Sequence, residues 1–159
     1  MLNWNGYMDT VECLRSIEKC SYPAYEVVVV DNGSTDGSVE RLKKDFKDVV
    51  YIENKENHGY TGGNNVGIRY AIGKGAEYIW LLNNDTTMKV DALIRLIEAA
   101  DKDPLSGLLG PKILQMENPE HAYAMMGRLN MWFPWPDRME GEDESKVTGE
   151  AVCVDFLSG

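Results

Sequence analysis

Four consecutive valines, Val27, Val28, Val29 and Val30, constrain this chain more than any other feature. With Tyr25 and Glu26 ahead of them they read YEVVVV, a run without polar alternation. A strand with one wet face alternates apolar and polar residues, whereas a strand that is apolar at successive positions must be covered on both faces. β-Branched side chains also prefer the extended backbone to the helix. Residues 25–30 are therefore expected to form an inner strand of a parallel sheet sandwiched between helices. The next eight residues, DNGSTDGS, are all turn and helix-capping types.

The neighbouring segments extend this pattern. Asp9 and Glu12 have capping-box spacing, and Val11, Leu14 and Ile17 fall on one helical face, so a helix is expected to run to about Cys20. A second helix is expected over 36–46, with Val39, Leu42 and Phe46 on one side, followed by a short strand over 49–53. Residues 54–63 read as a polar, glycine-bearing loop, and 63–72 as a helix stopped by Gly73 and Gly75. EYIWLL, residues 77–82, reads as another buried strand, and 90–100 as a helix with Val90, Leu93, Ile94 and Ile97 inward. Alternating helices and strands mean an α/β fold with a mostly parallel sheet. Ahead of the turn at Asn5-Gly6, Met1 and Leu2 are too few for a strand. After Pro104 the pattern loosens, with strands expected at 108–114 and 151–157. Between these lie an aromatic loop, 131–136, and a charge run, 137–146, read as a solvated loop.

The length of 159 residues suits one domain with a core of its own. No apolar run approaches the ~20 residues that span a bilayer, and MLNWNGYMDT lacks the basic start and apolar stretch of a signal peptide. The expected location is cytoplasmic, with the inner face of the membrane as an alternative. Cys13, Cys20 and Cys153 are odd in number and lack CxxC spacing, so they are read as reduced thiols. A net charge of −10 argues against a nucleic-acid partner, which needs clustered Lys and Arg. An acidic protein that binds an anion needs backbone N–H groups, a helix N-terminus or a divalent cation.

In an open α/β sheet, ligands bind beyond the carboxyl ends of the strands. That rule selects residues 31–38 and 83–86. Asp85, in the run Asn83-Asn84-Asp85, could supply a hard oxygen ligand to Mg²⁺ or Mn²⁺, or merely cap a helix. Asp31 could accept a hydrogen bond from a nucleobase N–H, or merely turn the chain. A third candidate, residues 57–65, reads NHGYTGGNN, whose glycines allow close backbone approach to a ligand. It is neither a Walker A loop nor GxGxxG. His58 has no metal-spaced partner, and with His121 it completes the histidines, so histidine-dependent hydrolysis is poorly supported.

Three of these segments together resemble family 2 glycosyltransferases. VVVDNGSTDGS, ending at Ser38, resembles the family's VDNxSxDGS motif, NHGYTGGNNVG its NxGfaxgnNxG segment, and LLNNDT, ending at Thr86, its LLNxD form of the DxD motif. Asn3-Trp4-Asn5 matches the NWN of rhamnosyltransferase-like members, and VDFLSG, ending at Gly159, resembles the segment ahead of the acceptor half. The resemblance implies a GT-A fold and transfer of a sugar from a UDP- or dTDP-sugar to a polysaccharide or lipid-linked acceptor, with inversion. By position it assigns substrate binding to Asn3, Asn5, Asp31, Asn32, Ser34, Asn57, Gly62, Gly63, Asn64, Asn83, Asn84 and Asp85. Asp31 would meet the base, and Asp85 alone would hold Mg²⁺ or Mn²⁺, because Asn83 stands where the family has its first Asp.

The resemblance also implies that the chain is cut short at both ends. The family's first strand is reduced to Met1 and Leu2, and its general base falls beyond Gly159, so no catalytic residue is assigned. None of Asp137, Glu140, Glu142, Asp143 or Glu144 is promoted to that role. The isolated chain is expected to be marginally stable and inactive as a transferase. A nucleotide-sugar-binding domain without chemistry, a nucleotidyltransferase and an unrelated α/β interaction protein are the rival readings. For the aromatic loop, packing is set against acceptor contact and peripheral contact with a membrane surface.

Overall fold

A computed structural model describes residues 1–116 and 118 and the segments 122–124, 126–129, 136–138 and 156–157. The chain divides into two compact units, Met1–Asp91 and Ala92–Gly159.

The first unit is built on a three-stranded parallel sheet of β1 (Leu2–Asn3), β2 (Val28–Asp31) and β3 (Val50–Glu53), in that order. The valine run supplies its middle strand, and Val29 and Val30 are buried as their composition requires. The expectation that Met1 and Leu2 are too few for a strand is corrected. Leu2 pairs with Val30 and Asn3 with Asp31. The Met1 amine donates to the Val28 carbonyl at 2.8 Å, and the Val30 N–H donates to the Met1 carbonyl at 2.9 Å. The buried edge of β2 needs hydrogen-bond partners, and even two residues are recruited to supply them.

Three helices accompany the sheet: α1 (Tyr7–Ile17), α2 (Ser38–Asp45) and α3 (Gly59–Gly73). Val11, Leu14 and Ile17 of α1 form one buried cluster with Val29, Leu42 and Phe46, as the spacing predicts. The expected capping box does not form. Helix α1 begins at Tyr7, its N-cap is Gly6 without a side-chain cap, and Asp9 lies in the first turn, where a carboxylate complements the helix dipole. The helix also stops at Ile17, short of Cys20, whose N–H donates to the Ile17 carbonyl at 2.8 Å. Arg41 of α2 stacks 3.5 Å from the Tyr7 ring centroid, and the Tyr7 hydroxyl donates to Asp45 at 2.5 Å, joining α1 to α2.

Helix α3 starts four residues earlier than expected, taking in Gly59, Tyr60, Thr61 and Gly62. Its first turn is set by Asn57, whose side-chain oxygen accepts the Gly59 N–H at 2.7 Å, and by Gly59 at φ +70°. Gly63 and Gly67, one turn apart, share a face. A Cβ on Gly63 would lie 2.4 Å from Leu2 Cδ1, and one on Gly67 3.1 Å from Val30 Cγ2. The missing side chains let the helix settle directly onto β1 and β2.

EYIWLL forms no strand among the described residues, which corrects a second expectation. Leu82 packs against the core, while Ile79 and Leu81 are exposed. Apolar composition reports burial, but a strand also needs a ladder to join, and β1 has only two residues. Val90, expected inward on a helix, is exposed and precedes α4 (Ala92–Lys102).

Helix α4 opens the second unit. There β4 (Ile113–Leu114) pairs antiparallel with β5 (Ala122–Ala124). β6 (Met126–Leu129) lies between β7 (Pro136–Arg138) and β8 (Phe156–Leu157), antiparallel to both. The strand expected over 108–114 shrinks to its last two residues, and Leu108 is exposed. Of the strand expected over 151–157, the described part is Phe156–Leu157. Pro136–Arg138 is a strand where the aromatic and charged loops were expected to meet. The rest of both, with Cys153, lies outside the described residues. No helix among the described residues is long and apolar enough to cross a membrane.

The packing of α3 predicts opposite signs for two glycine substitutions. Gly73→Ala, with nothing within 4 Å of the added carbon, should raise stability by about 0.4–1 kcal/mol. Gly63→Ala should lower it by about 1–2 kcal/mol, because overpacking against Leu2 outweighs the gain in helix propensity. Denaturant unfolding of both variants checks this, and a stabilised Gly63→Ala would contradict the close approach.

Candidate functional site

The register of β1 with β2 sets Asn3 opposite Asp31 at the carboxyl ends of both strands. Asp31 is 3% exposed. A carboxylate taken from water needs its lone pairs occupied, and four donors do this. Asn3 Nδ2 donates to Oδ1 at 2.8 Å and Ser34 Oγ to the same oxygen at 2.5 Å. The backbone N–H groups of Gly33 and Ser34 donate to Oδ2 at 3.1 and 2.8 Å. Gly33 takes φ +78°, and a Cβ there would lie 2.9 Å from the Glu56 backbone, so the turn closes only with glycine.

Asn3 is fully buried, and its amide group serves three acceptors: Asp31, Ser34 Oγ at 3.2 Å and Ser38 Oγ at 3.1 Å. Its side-chain oxygen accepts from Thr10 Oγ1 at 2.9 Å, and Thr10 Oγ1 in turn accepts from Asn84 Nδ2 at 3.0 Å. A continuous hydrogen-bonded chain therefore runs Asn84, Thr10, Asn3, Asp31, Ser34, buried at its three middle residues and half-buried at its two ends. Asn5, at φ +52°, donates its N–H to Ser34 Oγ and accepts from the Thr35 N–H, both at 2.9 Å.

Asn32 organises the third segment. Its amide donates to Asn57 Oδ1 at 2.7 Å and to the Gly59 carbonyl at 3.2 Å. Its oxygen accepts from Asn54 Nδ2 and the His58 N–H, both at 3.1 Å. Asn64 donates to the Tyr60 carbonyl at 3.0 Å, and the Tyr60 hydroxyl donates to Asn83 Oδ1 at 3.0 Å. That last bond brings the glycine segment to the 83–85 turn. Gly62 faces His58, whose Cβ would sit 2.8 Å from an added Cβ.

Asp85 is exposed, and no hydrogen bond among the described residues engages its carboxylate. No three His, Cys, Asp or Glu side chains converge on a common metal position among the described residues. The Asp36 carboxyl is held below its ordinary range by the hydrogen bond from Ser38. The Cys13 thiol is pushed up to about 11 by burial.

The structure thus gathers Asn3, Asn5, Asp31, Ser34 and Asn84 in one hydrogen-bonded set, Asn32 and Asn57 in a second that meets it through the Asn32 N–H on the Asn3 carbonyl, and Asn64, Tyr60 and Asn83 in a third. Gly63 serves packing on Leu2. Asp85 stands at the rim. Thr10 and Ser38 belong to the first set, Cys13 and Ser16 bind the 83–88 segment, and all four were missed in the sequence. Their small polar side chains sit beside the apolar residues that define the helices, and spacing three apart over Thr10, Cys13 and Ser16 was the available signal.

The model of the family described as glycosyl transferase family 2 matches residues 3–152. The chain belongs to glycosyl transferase family 2. It is 36% identical over 93 residues to the low-salt glycan biosynthesis hexosyltransferase Agl10 of Haloferax volcanii, a match covering 58% of this chain and 29% of that protein. It is 32% identical over 102 residues to the poly-β-1,6-N-acetyl-D-glucosamine synthase of Staphylococcus epidermidis, covering 62% of this chain and 23% of that one. Among solved structures, TarS residues 1–349 of S. aureus superimposes with a TM-score of 0.57 at 20% identity, covering 84% of this chain and 41% of that one. TarS in complex with UDP-GlcNAc gives the same TM-score over 74% of this chain and 40% of that one. This family 2 glycosyltransferase chain therefore carries a partial GT-A fold, and its matches span less than a third of the curated relatives.

The Asn3–Asp31 contact predicts a pH signature. Asn3→Asp sets a second carboxylate against Asp31, so one of the two must keep a proton in the folded state. Their folded-state affinity for protons rises above the unfolded value, so the pair is tolerated at low pH and stability is lost as pH climbs from about 4 to about 7. At pH 7 the variant should be less stable than the parent by roughly 3 kcal/mol or more. Unfolding of both across this range checks it, and a difference independent of pH would contradict it.

Proposed function

We propose that this chain is the donor-binding half of a hexosyltransferase that moves a sugar from a UDP- or dTDP-sugar to a polysaccharide or lipid-linked acceptor with inversion. The observation that carries the proposal is the hydrogen-bonded chain, buried at Thr10, Asn3 and Asp31, that joins the 31–38 turn to the 83–85 turn. It fixes two polar loops at one end of the sheet, where α/β folds bind their ligands. The relatives' names support the class: one acts in glycan biosynthesis, one makes poly-N-acetylglucosamine, and TarS is solved with UDP-GlcNAc.

In this reading the base and ribose lie over the 31–35 turn and Asn5, and the diphosphate over residues 83–85. Asp31 has both carboxylate oxygens committed within the protein, so it acts on the base through the turn it holds closed. Asn32 and Asn57 hold the glycine segment, and Asn64 and Tyr60 fix its approach to Asn83. Asn3 and Asn84 orient the two turns relative to each other.

The donor set fits a divalent ion that arrives with the diphosphate. Mg²⁺ commonly takes one or two carboxylates and completes its shell with phosphate and water oxygens, and Asp85 offers one uncommitted carboxylate while Asn83 and Asn84 add no charge. Mg²⁺ or Mn²⁺ bound there would neutralise the charge that develops on the leaving diphosphate. The acceptor hydroxyl would attack the anomeric carbon from the opposite face. The base that removes its proton, commonly worth ~10²–10⁴-fold, is proposed to lie beyond Gly159.

Calorimetric titration with UDP-GlcNAc and dTDP-glucose, with and without Mn²⁺, tests this. Mn²⁺ should tighten binding of at least one donor by about tenfold or more, ~1.4 kcal/mol. Asp85→Asn should abolish that tightening while leaving the melting temperature and metal-free affinity unchanged. Equal metal dependence in variant and parent would overturn the assignment of Asp85.

A further inference from the structure

The apolar face of α1 accounts for its place in the core, and a second stripe on the same helix, which shares only Cys13 with that core, reaches a different partner. Thr10, Cys13 and Ser16 are spaced three apart, so they lie along one side of the helix. Each makes a directional contact with the segment that contains the 83–85 turn. Thr10 Oγ1 accepts from Asn84 Nδ2 at 3.0 Å. Cys13 Sγ donates to the Asn83 carbonyl at 3.6 Å. Ser16 Oγ accepts from the Met88 N–H at 3.1 Å while donating to the Cys13 carbonyl at 2.7 Å.

We infer that α1 is a positioning element for the 83–85 turn, with Thr10, Cys13 and Ser16 as three rungs that fix where Asp85 is presented. The inference rests on the reading of that turn as the diphosphate end of the site. Apolar residues of the same size would bury equally well, but only hydrogen bonds fix a loop in both distance and direction. The turn needs such fixing, because residues 77–82 ahead of it join no strand among the described residues. Thr10 and Cys13 are fully buried. Burial keeps the Cys13 thiol protonated, and so a donor, through neutral pH. Gly6 completes the fit: a Cβ there would lie 2.8 Å from Asn84 Nδ2, so glycine lets that amide reach Thr10. Thr10 also binds Asn3, which makes α1 the link through which the two loops share one frame.

Thr10→Val keeps the shape and removes the hydroxyl, and Thr10→Ser restores it. Hydrogen exchange should speed up about tenfold or more over residues 83–88 in Thr10→Val, with the core of β2 unchanged. The Mn²⁺-dependent tightening of UDP-GlcNAc should fall about tenfold. Thr10→Ser should recover parent behaviour in both. Unchanged exchange at 83–88, or an Mn²⁺-dependent tightening equal to the parent's, would overturn the inference and leave Thr10 a packing residue. If Thr10→Val does not fold, Ser16→Ala carries the same test at the Met88 amide. A parent that binds no nucleotide would sink the functional reading, while the exchange result would still decide whether α1 positions the turn.

Discussion

The carboxylate of Asp31 has been taken out of water, and the first unit is arranged so that it can be. Its two oxygens receive four donors from three places: the turn that follows it, the side chain of Ser34, and Asn3 on the neighbouring strand. Losing a donor would leave part of a charge uncompensated in a low-dielectric setting, which costs far more than an ordinary hydrogen bond contributes. The parallel register of β1 and β2 is therefore fixed twice, by the backbone ladder and by the contact of Asn3 with Asp31. The same contact explains why a two-residue strand holds its place.

From Asn3 the constraint spreads outward. Its oxygen binds Thr10, Thr10 binds Asn84, and its amide reaches Ser38 at the start of α2. Two helices and both loops thus refer to one buried asparagine. Glycines make the approach possible where side chains would block it: Gly63 under Leu2, Gly33 against Glu56 and Gly6 beneath Asn84. In a chain of net charge −10, an anionic ligand is favoured only where local groups outweigh the overall field. The described loops offer amides and hydroxyls for that need, and Asp85 is the carboxylate we propose for a cation carried in by the ligand.

Much of this was legible in the sequence. Val28, Val29 and Val30 announced the inner strand because burial on both faces leaves no room for polar alternation. Leu14 and Leu42 announced the helix faces, and the polar runs after β2 and before Thr86 announced the loops that are joined by hydrogen bonds through Thr10 and Asn3. What was not legible depended on partners distant in sequence. EYIWLL has the composition of a strand but joins no ladder, and composition carries no information about available edges. Leu2 looked too short to count, because the pull of Val28 and Val30 on the Met1 backbone is not written in residues 1–3. Gly63 looked like a ligand-loop glycine, because its neighbour in space, Leu2, is sixty-one positions away. Thr10 and Ser16 were invisible because each looks like an ordinary small polar residue until its acceptor is placed.

A hydrogen-bonded frame centred on the buried Asn3 and Asp31 holds two loops in place, and we propose that they receive a nucleoside diphosphate and its metal. A crystal structure of the protein with UDP and Mn²⁺ tests it most directly, using anomalous scattering to place the metal. The expected result is a manganese peak about 2 Å from the Asp85 carboxylate, phosphate oxygens on the same ion, and an Asp31 carboxylate still closed by its four donors. A metal away from Asp85, or a nucleotide seated anywhere other than the carboxyl ends of β1 and β2, would contradict it.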